Sequence, residues 1–219
     1  MFISFEGMDG SGKSTQARLF AEYLRGKFGD AQVIMTREPG GTAIGEQIRD
    51  IVHAMGNQEM SPRTEFLLYN AARAQVVDQV IRPALAQGKI VLSDRYGDST
   101  LVYQGYGRQL DLEMVKRVID YATGGLKPDL TFFIDVNIEE GLGRRTNGHQ
   151  RGEELNRMDT QTREFYARVH KGYETLIGGE PSRWIRVDGA KPIDQVQLDL
   201  REKFDSLQRL SAYQTFPKN

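Results

Sequence analysis

The sequence predicts an α/β protein built on a mainly parallel sheet covered by helices on both faces. Three observations carry that prediction. Short apolar runs alternate with longer segments whose apolar residues recur every three or four positions. The first apolar run leads directly into Gly7-Met8-Asp9-Gly10-Ser11-Gly12-Lys13-Ser14, a glycine-rich turn placed between a strand and a helix. No internal repeat or low-complexity linker interrupts the 219 residues, so residues 1–219 read as one domain.

Taken in order, Phe2 to Phe5 reads as a buried strand. Ser14 to Phe28 places Ala17, Phe20, Ala21 and Leu24 on one helical face and stops at Gly29-Asp30. Gln32 to Thr36 is a second strand, feeding the loop Arg37-Glu38-Pro39-Gly40-Gly41. Thr42 is the N-cap of a helix through Ile44, Ile48, Ile51 and Val52. A long helix is expected from Thr64 to Ala86, kinked or ended near Pro83. Further strands are expected at Lys89 to Ser93, Leu130 to Val136 and Trp184 to Val187. Further helices are expected at Ser99 to Gln104, Asp111 to Tyr121, Ile138 to Arg145, Thr160 to Ile177 and Ile193 to Leu207. Asn147 to Asn156 is polar and punctuated by glycine, and reads as a mobile surface loop. Ser211 to Asn219 lacks periodicity and reads as a loosely held tail.

The net charge of −1 supplies no global basic field, so a nucleic-acid polymer is not expected as a partner. A charged substrate must instead meet locally placed arginines. The absence of cysteine excludes disulfides and thiolate chemistry and fits a reducing compartment. His53, His149 and His170 lack metal-ligand spacing. No apolar run approaches a membrane span, and the first residues form a strand rather than a signal peptide. The expectation is a cytoplasmic protein without a membrane partner.

The glycine-rich turn fits G-x-x-x-x-G-K-[ST] at every fixed position. Its glycines let backbone N–H groups wrap phosphate oxygens, Lys13 neutralises the β/γ end, and Ser14 can ligate Mg²⁺. The helix opening there adds its positive end to the anion site. Asp94 and Arg95 follow a strand, where ligands gather in open α/β sheets. Asp94 either orients Mg²⁺ or caps the next helix, and Arg95 either bridges phosphates or pairs with Asp94. Tyr69 and Arg73 share a helix face, as a nucleobase site or as packing and surface charge. The cluster Tyr103 to Arg108 lines a pocket or forms a glycine turn. Arg144, Arg145, Arg151 and Arg157 flank or occupy the polar loop, which on closing would bring guanidinium groups to a triphosphate; a solvated helix end is the alternative. No Asn-Lys-x-Asp segment is present to read guanine, which speaks against a GTPase-like switch.

Together these pieces resemble the thymidylate kinases, a family of P-loop nucleoside monophosphate kinases, over almost the whole chain. The resemblance rests on Glu6-Gly7-Met8-Asp9-Gly10-Ser11-Gly12-Lys13, on Arg37-Glu38-Pro39-Gly40-Gly41-Thr42, and on Asp94-Arg95-Tyr96 with Ser99, Tyr103 and Gln104. It implies a three-layer α/β/α fold with a five-stranded sheet and a lid at residues 146–156. It implies phosphoryl transfer from ATP to dTMP with Mg²⁺ as cofactor, and a homodimer. A broader deoxynucleotide kinase is the alternative within the same chemistry.

The family also suggests individual roles. Gly7 to Thr15 and Arg144 would bind ATP, with Ser14 and Asp94 toward the metal. Asp9, Lys13, Arg95 and Arg151 would be catalytic, Arg151 as the lid arginine of the bacterial kind. Arg49 and Arg95 would hold the acceptor phosphate, with Glu38, Pro39 and Ser99 nearby. Tyr69 would stack on thymine, Arg73 and Gln104 would bond the base edge, and Tyr103 would crowd the ribose 2′ position. This chain departs from the family pattern in placing Tyr69 where phenylalanine is usual, Val102 where alanine is common, and Asp159 where glutamate often stands. No basic residue lies among Met8, Gly10 and Ser11, so lid arginines are expected to carry that charge.

Overall fold

The run Phe2 to Glu6 is buried along its whole length, and such a strand must lie inside a sheet covered on both faces. The computed structural model describes residues 1–152 and 156–214, with side chains described through residue 208. Along the chain come β1 (Phe2–Glu6), α1 (Lys13–Phe28), β2 (Val33–Arg37), α2 (Ala43–His53), α3 (Pro62–Val76), α4 (Arg82–Ala86) and β3 (Ile90–Asp94). They are followed by α5 (Gly97–Thr100), α6 (Leu112–Thr123), β4 (Leu130–Asp135), α7 (Ile138–Gln150), α8 (Arg163–Gly179), β5 (Trp184–Asp188) and α9 (Ile193–Gln214). The five strands pair in the order β2-β3-β1-β4-β5, all parallel. Each lies within one residue of its expected bounds.

Alternation along β1 divides the core into two layers. Ile3 and Phe5 face α1 and α9, packing with Phe20, Leu24, Leu200 and Phe204. Phe20 touches Phe5, Phe132 and Phe204, and fully burying such a ring contributes ~1.5–3 kcal/mol. Phe2 faces the other side, edge-on to Tyr96 and among Val76, Val77 and Ile81. On that side α8 brings Tyr173 against Phe133 and the single tryptophan, Trp184.

Parallel pairing sets Phe5 of β1 opposite Asp94 of β3. The glycine-rich turn and the Asp94-Arg95 corner therefore leave the sheet side by side. Two hydrogen bonds extend the pairing past the strand ends, Arg95 N–H to Phe5 O at 2.9 Å and Glu38 N–H to Asp94 O at 2.9 Å. The peptide bond between Glu38 and Pro39 is cis.

Several helices depart from the expected bounds. The long helix expected from Thr64 to Ala86 is α3 and α4 joined by a wide turn at Val77–Ile81. Pro83 has no N–H and its ring crowds the carbonyl four residues back, so the helix widens ahead of it. The expected Ser99–Gln104 helix is α5 followed by a second wide turn, Leu101–Gly107. Helix α7 runs on to Gln150, so the first part of the expected polar loop is helical. Residues 153–155 of the expected lid lie outside the described residues. Helix α8 starts at Arg163, capped by Thr162, after a single turn at Arg157–Thr160 that Asn156 and Asp159 cap reciprocally. Helix α9 continues to Gln214, past the Leu207 end expected for it; the remainder of the expected tail, 215–219, is outside the described residues.

Candidate active site

A cleft of about 660 Å³ opens over the carboxyl ends of β1, β2 and β3. Its floor at one end is the glycine-rich turn, with Gly10, Gly12, Lys13, Ser14 and Thr15 on its surface. Position 10 must be glycine on two counts. Its φ is +77°, and an added Cβ would come within 2.1 Å of the Gly141 carbonyl oxygen on α7. Lys13 is buried, with Nζ 3.4 Å from Met8 O and 3.8 Å from Asp9 Oδ1. Burial shifts the Lys13 ammonium downward from its ordinary value.

Arg95 stands at the centre. Its backbone lies at φ +71°, a left-handed conformation that non-glycine residues seldom adopt. Ser93 Oγ donates to the Arg95 carbonyl at 2.6 Å. From there the guanidinium fans out to four acceptors: Gly7 O at 3.1 Å, Ser99 Oγ at 2.9 Å, Asp9 Oδ1 at 2.7 Å and Tyr103 Oη at 3.2 Å. Tyr103 donates in turn to Asp9 Oδ2 at 3.1 Å. Burial opposes ionisation of Asp9, but the charges of Arg95 and Lys13 outweigh it and hold the carboxyl at about 2.

At the far end, α3 presents Tyr69 and Arg73 to the cleft. Arg73 is 1% exposed and clamped on every side. Its Nε donates to Glu38 Oε2 at 2.8 Å, Nη1 to Asn70 Oδ1 at 3.1 Å, and Nη2 to Thr100 Oγ1 at 2.9 Å and Tyr96 O at 3.2 Å. Arg49 reaches the rim from α2, its Nη1 donating to Pro39 O at 3.0 Å. Burial raises the Tyr69 phenol, which stays protonated.

The donor set suits a hard divalent cation. Asp94 Oδ1 is buried without a hydrogen-bond partner at the cleft wall, and Ser14 borders the same space. An unpartnered buried carboxylate oxygen in a cleft that also holds a hydroxyl is what such an ion would satisfy.

The structure thus gathers Asp9, Gly10, Gly12, Lys13, Ser14, Thr15, Glu38, Pro39, Arg49, Tyr69, Arg73, Asp94, Arg95, Ser99, Tyr103, Gln104 and Arg144 around one cleft. Gly7 contributes its carbonyl to Arg95, while Met8 and Ser11 are buried beneath the turn. Arg151 is exposed at the end of α7 and is not among the residues lining the cleft. Arg144 and Arg145 do line it; Arg144 is held by Glu140 and Gly189 O, and Arg145 by Asp159. Arg157, grouped with the lid arginines on sequence, is 3% exposed and turned inward onto Glu65 and Val52 O.

A thymidylate kinase family model matches residues 5–200 of this chain. The chain belongs to the thymidylate kinase family. A thymidylate kinase of Roseiflexus castenholzii is 50% identical to it over 203 residues, covering 89% of this chain and 88% of the relative. One from an Exiguobacterium species is 47% identical over 197 residues, covering 90% of each. Among solved structures, a thymidylate kinase from Ehrlichia chaffeensis superposes with a TM-score of 0.76 at 35% identity, covering 94% of this chain and 98% of that one. The family is one of kinases, and the parallel sheet with its glycine-rich turn is the P-loop nucleotide-binding fold.

Sequence reasoning missed the carboxylates that hold the site from below. Glu65 on α3 binds Gln104, Arg108 and Arg157. A signal for it existed, since Glu65, Tyr69 and Arg73 recur at helical spacing on one face. Glu6 closes β1 and is fully buried. It accepts from Tyr96 N–H at 2.8 Å, Tyr173 Oη at 2.9 Å and Ser99 Oγ. In the sequence it is marked as an unusual acid at the end of an apolar strand and as the first residue of the glycine-rich motif.

Burial, with a smaller push from Asp98, raises Glu6 from 4.5 to about 7. The folded state therefore keeps a proton that the unfolded chain releases between those values. Its contribution to stability is full below pH 4.5 and is lost as pH rises through 7. Urea unfolding at pH 5 and pH 8 is expected to show a stability decline in the wild type that is reduced in Glu6→Gln; an unchanged decline removes this assignment.

Proposed function

We propose that the chain transfers the γ-phosphoryl group of MgATP to the 5′-phosphate of dTMP, giving ADP and dTDP. The observation that carries this reading is Arg95, which ties the phosphate turn to the acceptor half of a single cleft through Gly7, Asp9, Ser99 and Tyr103. The acceptor phosphate is already a nucleophile near neutral pH, so the protein's task is alignment and charge neutralisation.

Lys13 and Arg95 both reach Asp9 Oδ1, which brings the two cations together at the transfer point. Arg49 adds a second guanidinium on the acceptor side. Ser14 and Asp94 would hold Mg²⁺, which when bound supplies charge neutralisation on the phosphate oxygens. Tyr69 offers a ring and Arg73 its one remaining, fixed N–H to the base. Residues 146–156 act as the lid, with Arg144 and Arg145 at its base and Arg151 moving inward on closure. We assign the reaction to the cytoplasm; no helix among the described residues is long and apolar enough to cross a membrane.

We read the active form as a homodimer. Leu67 on α3 and Met114 on α6 are 57% and 55% exposed, and these helices pack side by side with Ile44 and Ile51 of α2 on the adjoining surface. Leu67→Asp is expected to convert a dimer to a monomer in sedimentation; a wild-type monomer at micromolar concentration removes this part of the reading.

Coupled ADP release across a panel of nucleoside monophosphates tests the function. Turnover is expected with dTMP, less with dUMP, and far less with dCMP, because sites that pair polar groups discriminate better than those sensing a methyl. Equal rates with dCMP and dTMP overturn it. Arg95→Ala is expected to lower kcat by a factor on the order of 10², and near-wild-type turnover would remove Arg95 from the mechanism.

A further inference from the structure

Glu65 lies one helical turn before Tyr69 and two before Arg73, with none of its surface exposed. Its carboxylate accepts from Gln104 Nε2 at 2.8 Å, Arg108 Nε at 3.1 Å, Arg108 Nη2 at 2.9 Å, and Arg157 Nη2. Arg157 Nε also donates to Val52 O at 3.1 Å, and Arg108 Nη1 to Gln161 Oε1 at 2.6 Å, so both guanidinium groups are themselves anchored.

A carboxylate between two guanidinium groups stays ionised and can only accept. Despite burial, Arg108 and Arg157 keep the Glu65 carboxyl below its ordinary range. The Gln104 atom facing it must then be the amide nitrogen. The amide oxygen is turned away from Glu65 and has no hydrogen-bond partner among the described residues. Gln104 borders the cleft beside Tyr69 and Arg73.

We propose that Glu65 is a specificity-determining positioning residue, fixing the Gln104 amide with its oxygen toward the cleft so that the acceptor base must present an N–H there. This rests on the thymidylate reading. Thymine and uracil offer N3–H to that oxygen. Cytosine offers a bare N3 lone pair, leaving two acceptors face to face and one buried polar group unsatisfied. Arg73 cannot compensate by turning, because Glu38, Asn70, Tyr96 and Thr100 hold its guanidinium.

An amide at position 65 can donate as well as accept, which frees Gln104 to flip. The test measures dissociation constants for dTMP and dCMP by calorimetry beside kcat/KM for both. Glu65→Gln is expected to narrow the dTMP-over-dCMP preference by about tenfold, mainly through binding; damage to the fold alone would lower both nucleotides together. A preference kept at its wild-type value in folded Glu65→Gln overturns the inference and leaves the function standing.

A wild type with no preference for dTMP overturns the function and this inference with it. The charge-conserving swap Glu65→Gln with Gln104→Glu supplies a second reading should the single variant fail to fold. There a carboxylate at position 104 accepts both from the amide introduced at position 65 and from the base. It is expected to return the preference to the wild-type direction, and a swapped protein that favours dCMP overturns the inference.

Discussion

The ion pair between Arg95 and Asp9 joins two segments that are 86 positions apart in sequence, and the cleft depends on it. Both side chains are half-buried at the cleft wall, and each charge offsets the desolvation of the other. Together, with Lys13 and Tyr103 on the flanks, they keep a fixed carboxylate and a fixed guanidinium at the junction of the two halves. The strand register makes this meeting possible, since pairing Phe5 with Asp94 delivers both loops to the same edge of the sheet. The left-handed backbone at Arg95 then turns its side chain back over the glycine-rich turn.

The same device recurs at the α3 end of the cleft. Arg73 is answered by Glu38, and Arg108 with Arg157 by Glu65. A chain with net charge −1 can therefore concentrate arginines in one cleft without a basic surface. These buried pairs contribute little to stability against an apolar alternative. Their effect is positional: each guanidinium is left with few orientations. A site with fixed polar groups rejects a ligand that leaves them unpaired.

Much of this is legible in the sequence. The five strands and the glycine-rich turn are local patterns, and apolar runs bounded by turns report them directly. Tyr69 and Arg73 stand out because helical spacing places them on one face. The wide turn before Pro83 is visible only as an unspecified kink, because the sequence marks the missing N–H but not how the helix absorbs it. Arg157 escapes a sequence reading, since a charged residue beside a polar loop looks solvated until Glu65, 92 positions away, is brought under it. Glu6 and Glu65 share that difficulty, since a buried acid is recognised by its donors, and those come from distant elements.

The single tryptophan gives this arrangement an optical consequence. Trp184 sits 6% exposed on β5, near Tyr173, whose hydroxyl bonds Glu6. The indole packs on Tyr173 and Phe133 and does not line the cleft. Its emission comes from a position outside the cleft wall. A native tryptophan signal therefore reports on the packing around Tyr173, one ring removed from Glu6.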